Sequence, residues 1–240
     1  MFVVNIIIKR QKMLEILQYD FIQNALIAGV LISIAAGIIG SLVVVNKITF
    51  LTGGIAHSSY GGIGLAIYMG IPVLFGATVF AVLTAILIAI ITLKNRTRID
   101  AIIGMMWASG MAIGIIFVDL TPGYNVDLMS YLFGSIIAVS REDLIYMSVL
   151  DVFIISIVVF FYKQILAVSY DSEFASLRGI NVKFFYTLIL ILAALCVVAA
   201  IKAVGLILVI ALLTIPTYLA ESFSSKLSTM MIISSILATI

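Results

Sequence analysis

The run FIQNALIAGVLISIAAGIIGSLVVVN, Phe21 to Asn46, contains no charged residue and reads as one uninterrupted apolar stretch. A helix needs roughly 20 residues to cross a hydrocarbon layer about 30 Å thick, and this run is long enough. Its apolar residues follow one another, whereas the strands of a membrane barrel alternate with period two. A bilayer offers no partner to a backbone N–H or C=O, so a segment of this kind must bond within itself, as a helix.

The same signature recurs along the rest of the chain. Ile48 to Leu93 carries only His57 and is broken by Pro72, and Ala101 to Val118 is free of charge. Leu144 to Tyr162 holds one acid, Asp151, while Phe184 to Ile201 and Ala203 to Ala220 are separated by Lys202. Leu227 to Ile240 is uncharged to its last residue. These runs predict an all-α polytopic integral membrane protein of about eight transmembrane helices. Composition agrees: 64% of the residues are hydrophobic and 10% charged, where a soluble domain is about half apolar and a quarter charged. A water-soluble fold is excluded.

Residues 1–19 read as an N-terminal extension. Met1 to Lys12 carries Lys9, Arg10 and Lys12 without a small-residue cleavage site, which makes a poor signal peptide. Residues 1–12 are expected to lie outside the native chain, with Met13 as the alternative start. Residues 20–240 form one transmembrane domain whose last helix is expected to be truncated. Loops at Lys47, Lys94 to Arg98, Lys163 to Lys183 and Lys226 collect eight Lys and Arg on one side, against Arg141 and Lys202 on the other. The positive-inside rule makes the first side cytoplasmic. On that side SYDSEFASLRGINV, residues 169–182, predicts a short helix capped by Asp171 or Ser172 and ended by Gly179. On the other, DLTPGYNVD (Asp119 to Asp127) is a turn-rich loop, and the LMSYLFGSIIAV that follows is too short to cross and predicts a partial or re-entrant helix.

Chemistry is sparse. Net charge is +2 and the single cysteine, Cys196, sits inside an apolar run, which argues against a nucleic-acid surface, a thiolate metal cluster or a disulfide framework. The ten methionines are scattered and read as packing or lipid-facing residues. No GxxxxGK[ST] loop occurs and no nucleophile, base and oxyanion set assembles, so no catalytic residue is expected and any use of ATP belongs to a partner. Gly53, His57 and Gly61, with Gly54, Ser58 and Gly62 beside them, repeat at four-residue spacing and predict close helix approach. His57 is the only histidine. An ionisable group at membrane depth is costly unless paired or hydrated, which makes it a functional candidate, and neutral imidazole is a common transition-metal ligand. Asp151 lies near the centre of its span and is the second candidate for the transport path. Lys202 is expected near the outer interface, its stem snorkelling to water. Pro216, preceded by Thr214, is expected to kink its helix.

Four stretches together resemble a known family: residues 24–66, SYLFGSIIAVSREDL, DSEFASLRGINV and KAVGLILVIALLTIPTYLA. In order and spacing they are similar to the permease subunits of zinc, manganese and iron ABC importers, and distantly to cobalamin and siderophore permeases. The resemblance implies a multi-pass protein of the prokaryotic cytoplasmic membrane that moves a divalent transition-metal ion inward, zinc first, then manganese or iron. It implies a homodimer in membrane lipid, two cytoplasmic ABC ATPase subunits and an extracytoplasmic metal-binding protein, with no cofactor resident in this chain. It also implies that the segment holding Glu173, Ala175, Leu177 and Gly179 is the coupling helix that docks on the ATPase. Members of the family carry an acid four residues before the histidine of the second helix; Gly53 stands at that place here, while His57 matches. Two other readings stay open: a siderophore or cobalamin permease, separated by substrate size, and a secondary transporter or channel, separated by a requirement for the ATPase.

Overall fold

The computed structural model describes residues 18–94, 99–122 and 129–240. Four long helices come first: α1 (Asp20–Val45), α2 (Thr49–Met69), α3 (Val73–Lys94) and α4 (Ile99–Asp119). A short α5 (Met129–Phe133) and a 3₁₀ turn at Ile136–Ala138 lead into α6 (Arg141–Phe160), α7 (Tyr162–Tyr170), α8 (Ser172–Leu177), α9 (Val182–Glu221) and α10 (Leu227–Thr239). No strand occurs among the described residues. The N-terminal extension up to residue 17, the tip of the basic loop at 95–98 and the end of the turn-rich loop at 123–127 lie outside them.

Five helices, α1, α3, α4, α6 and α9, are long and apolar enough to cross a bilayer. The chain is a multi-pass membrane protein. Leu83, Ile145, Val152 and Val159 are large apolar side chains exposed on the outer faces of their helices. The more polar α2 is buried without interruption from Leu51 to Gly64 and is walled by α4, α3 and α9. Its small residues explain that position. A Cβ at Gly62 would fall 2.5 Å from Phe80 Cβ and against the Gly76 carbonyl of α3, and one at Gly61 would lie 2.8 Å from the Gly110 carbonyl of α4. Where side chains are absent, backbones approach and dispersion contacts multiply.

At 1.5 Å per residue the 40 residues of α9 would form a straight rod of roughly 60 Å, twice the thickness of a hydrocarbon core. The rod is broken at Gly205, whose φ of 82° and ψ of 165° are open in practice only to glycine. The chain turns back there, so that Val182 and Glu221 border the same cavity at one end of the molecule. Gly134, at φ 71°, packs backbone to backbone on Gly205, and Ser135 N–H donates to the Lys202 carbonyl at 3.0 Å, satisfying an acceptor near the break. The backbone angles at Pro216 stay helical, and the full break falls at Gly205, where glycine permits a conformation that proline cannot reach.

Both ends of the bundle are defined by their contacts. Asn46, Lys47, Leu93, Ser169, Val182 and Lys226 surround one cavity, so the basic loops share an end. At the other end Arg141 pairs with Asp20 at 3.1 Å, and Lys202 pairs with Asp143. Lys202 is partly exposed at this end, and its Nζ donates to a carboxylate that also accepts from Ser140 N–H at 2.8 Å and Ser140 Oγ–H at 2.6 Å. Ser140 and Asp143 form a capping box that starts α6.

Candidate functional site

His57 sits two turns into α2, 7% exposed. Its ring lies flat on the indole of Trp107 from α4, with ring centroids 3.7 Å apart and planes 9° from parallel. Nδ1 is buried without a hydrogen-bond partner. The register that brings the rings together comes from neighbouring rungs of the same helix pair: Gly54 against Ile103, Ser58 donating to the Met106 carbonyl at 2.8 Å, and Tyr60 and Gly64 against Gly114. Both helices run in the same direction through these rungs. Sequence reading singled out the α2 face and missed its partner; the signal for it was Gly110 and Gly114 on α4, at the four-residue spacing of Gly61 and its neighbours.

Gly53 faces a different helix. A Cβ there would lie 3.1 Å from Ile210 Cδ1 in the second limb of α9, so the isoleucine occupies the space beside the residue one turn before His57.

Asp151 is 3% exposed and neither carboxylate oxygen has a hydrogen-bond partner. It belongs to the buried stripe of α6 with Asp143, Met147, Ile154 and Val158, and α6 packs mainly on α1 and α9. Since α2 packs mainly on α4, α3 and α9, the structure does not gather His57 and Asp151 into one cluster. Among the described residues no group of three or more His, Cys, Asp or Glu side chains is placed to hold a metal ion.

At the basic end, α8 is a separate, surface-borne feature. Asp171 caps it, its carboxylate accepting from Phe174 N–H at 2.9 Å. Gly179, at φ 76°, ends it: Gly179 N–H donates to the Ser176 carbonyl at 2.9 Å and Ile180 N–H to the Ala175 carbonyl at 3.0 Å. That pair of bonds is a Schellman closure, which needs a left-handed residue where glycine stands. Ala175 is buried and anchors the helix, Glu173 points to solvent, and Leu177 is 88% exposed. The Arg178 guanidinium lies 4.9 Å from the centroid of the Phe174 ring. Just before it, α7 is an element the sequence reading left inside a polar loop; Ile165 and Val168, three apart and both buried, were its signal.

Comparison with known proteins fits this architecture. Residues 18–240 match the ABC 3 transport family, and the chain belongs to that family, the membrane components of ABC-type transporters. A membrane protein of Synechocystis, described as uncharacterized, is 44% identical over 94% of this chain and 80% of its own length. A probable metal transport system membrane protein of Chlamydia trachomatis is 40% identical over 85% of this chain and 72% of its own. The manganese transport system membrane protein MntC of Listeria monocytogenes is 33% identical over 92% and 78%. Among solved structures, PsaBC from Streptococcus pneumoniae in complex with a Fab superposes with a TM-score of 0.85 at 29% identity, covering 95% of this chain and 83% of that one.

Proposed function

We propose that this chain is the permease of an ABC importer that carries a divalent transition-metal ion into the cytoplasm, the ion passing His57. One observation carries the reading: a buried imidazole with an unpartnered Nδ1, on the most enclosed helix of a protein similar along most of its length to membrane components named for metal transport. Imidazole nitrogen is a common ligand for such ions. A single imidazole does not complete a coordination shell, so the passing ion keeps water or takes further ligands, including the second His57 of a homodimer. A lone imidazole with Ile210 beside Gly53 suits zinc or iron, whereas manganese prefers oxygen ligands. The names of the relatives point to manganese. These two lines of support disagree, and a metal panel decides between them.

ATP hydrolysis resides in a partner on this reading. The cytoplasmic ATPase docks on α8 through the side chains of Glu173 and Leu177, with Ala175 fixing the helix to the permease and Gly179 closing it. An extracytoplasmic metal-binding protein delivers the ion to the opposite end. The test is cellular zinc, manganese and iron content in a transport-deficient host that expresses the permease with its ATPase and binding protein. One metal is expected to rise in the wild type and to stay at background in His57→Ala. A wild type that raises none of the three refutes the proposal, and a metal that rises equally in both strains removes His57 from the path.

A further inference from the structure

Trp107 is the only tryptophan of the chain, and it lies on the only histidine. The two helices that carry these rings meet in a second aromatic contact further along, Tyr68 of α2 against Phe117 of α4, with centroids 5.3 Å apart and planes 47° from parallel. A tilted contact of that kind is what two electron-rich rings prefer, because both faces are negative and repel when laid flat on each other. The His57–Trp107 pair has the opposite geometry, 3.7 Å between centroids and 9° between planes.

A flat, close stack becomes favourable when one ring is electron-poor and the other electron-rich. Among side chains the face of indole holds positive charge best. Imidazole turns electron-poor when a ring nitrogen gives its lone pair to a metal ion, since the ring then shares the positive charge. The observed stack therefore suits a His57 that bears a cation better than one that bears none. The same contact orients the ring. A histidine that ligates a metal ordinarily gives its other N–H to a carboxylate, a carbonyl or water, which fixes ring and tautomer. His57 has no hydrogen bond at Nδ1, so no such group holds it there. The indole does so instead, and its own place is set by the adjoining residues. Ser58 donates to the Met106 carbonyl at 2.8 Å, which ties the residue after the histidine to the residue before the tryptophan. On the next rung a Cβ on Gly110 would stand 2.5 Å from Ser58 Cα, so the two backbones touch and the register is held.

We propose that Trp107 is a positioning residue of the metal site: it holds the His57 ring with one face covered and its edge toward the ion, and it stabilises the ion-bearing imidazole more than the free one. The inference rests on the reading that the ion passes His57, and it adds the residue that prepares the ligand.

The test uses the full-length permease assembled with its ATPase, with zinc and manganese as probes in turn. Bound ion is measured by equilibrium dialysis, and the thermal midpoint is followed alongside. Trp107→Leu, which fills space without a π face, is expected to weaken binding at least about tenfold, the loss that follows removal of a group orienting a ligating histidine. Trp107→Phe keeps a flat ring and is expected to end only about threefold below the wild type, phenyl being the weaker face for a cation. Phe117→Leu removes the tilted pair from the same two helices and is expected to bind as the wild type does. Wild-type affinity in Trp107→Leu overturns the proposal, as does Trp107→Phe as weak as Trp107→Leu, or Phe117→Leu weakened equally. A wild type that binds neither ion overturns it together with the reading beneath it. Should Trp107→Leu not assemble, fluorescence gives a second reading. The difference in emission between the wild-type and Trp107→Phe complexes isolates this one tryptophan of the chain. The ion is expected to change that emission in the wild type and to leave it unaltered in His57→Ala; no change in the wild type, or the same change in both, overturns the assignment. Dialysis with His57→Ala separates the two ideas. Binding lost there while Trp107→Leu binds normally keeps the imidazole on the path and removes the positioning role. Binding kept there while Trp107→Leu is weakened means that the tryptophan does not act through His57, and both fall.

Discussion

The seam between α2 and α4 and the short helix α8 both depend on glycine, in opposite ways. In the seam glycine is a matter of space: Gly54, Gly61 and Gly64 sit where any added carbon would meet a neighbouring side chain or carbonyl. In α8 it is a matter of backbone angle. Nothing lies within 4 Å of a Cβ built on Gly179, yet its φ of 76° is one that side chains disfavour. His57 is enclosed and Leu177 is almost fully open. The difference teaches how the molecule divides its work. The interior uses its small residues to draw helices together around the imidazole, and the exposed end carries a short capped helix with Leu177 open at its tip.

Substitutions can break that contrast, and the largest effect is expected in the seam. Gly64→Leu places a side chain against the Gly114 backbone of α4, an overpacking that should cost about 3 kcal/mol or more. Loss of the monodisperse peak of the detergent-solubilised protein, or a large fall in its thermal midpoint, would show it; an unchanged midpoint would mean the helices are not held as closely as the geometry says. Gly179→Leu is expected to do less to the fold. Forcing a side chain into the left-handed region costs about 1–2 kcal/mol locally, and the stronger consequence is functional: ATP hydrolysis continues while metal uptake falls. Coupled transport at the wild-type ratio after this change would rule out α8 as the transmission point. The smallest effect on stability belongs to Leu177→Asp. Leu177 is so exposed that the midpoint should move within about 0.5 kcal/mol equivalent, while affinity for the ATPase subunit drops. Undiminished co-purification with the ATPase would move the docking surface elsewhere.

Much of this was legible beforehand. Charge-free runs located the long helices, because apolar length alone decides what a bilayer accepts. Asp171 and Gly179 marked the ends of α8, since capping is a local matter of a few residues. The short segment after the outer loop proved to be a five-residue helix and a turn, too small to cross. Two features needed distant residues. The chain breaks at Gly205, three residues past the Lys202 that divides the two apolar runs, where Gly134 and Ser135 supply a matching surface from another element. Lys202 is partly exposed, and its pairing with Asp143, 59 positions away, has no local pattern to announce it.

The sequence by itself determined the class of protein, its helical build and the basic end, because each follows from local composition against a solvent that punishes unpaired backbone, and four stretches carried the resemblance to the family. It also marked His57 and Asp151 as ionisable groups at membrane depth, where such groups are costly. Only the tertiary structure decided that Trp107 covers the imidazole, that Ile210 fills the space beside Gly53, and that Ile103 fills the space beside Gly54. Those contacts join residues far apart in the chain. Their pairing depends on the relative register of whole helices, which is settled by the fit of small and large side chains between them and leaves no short-range pattern to read.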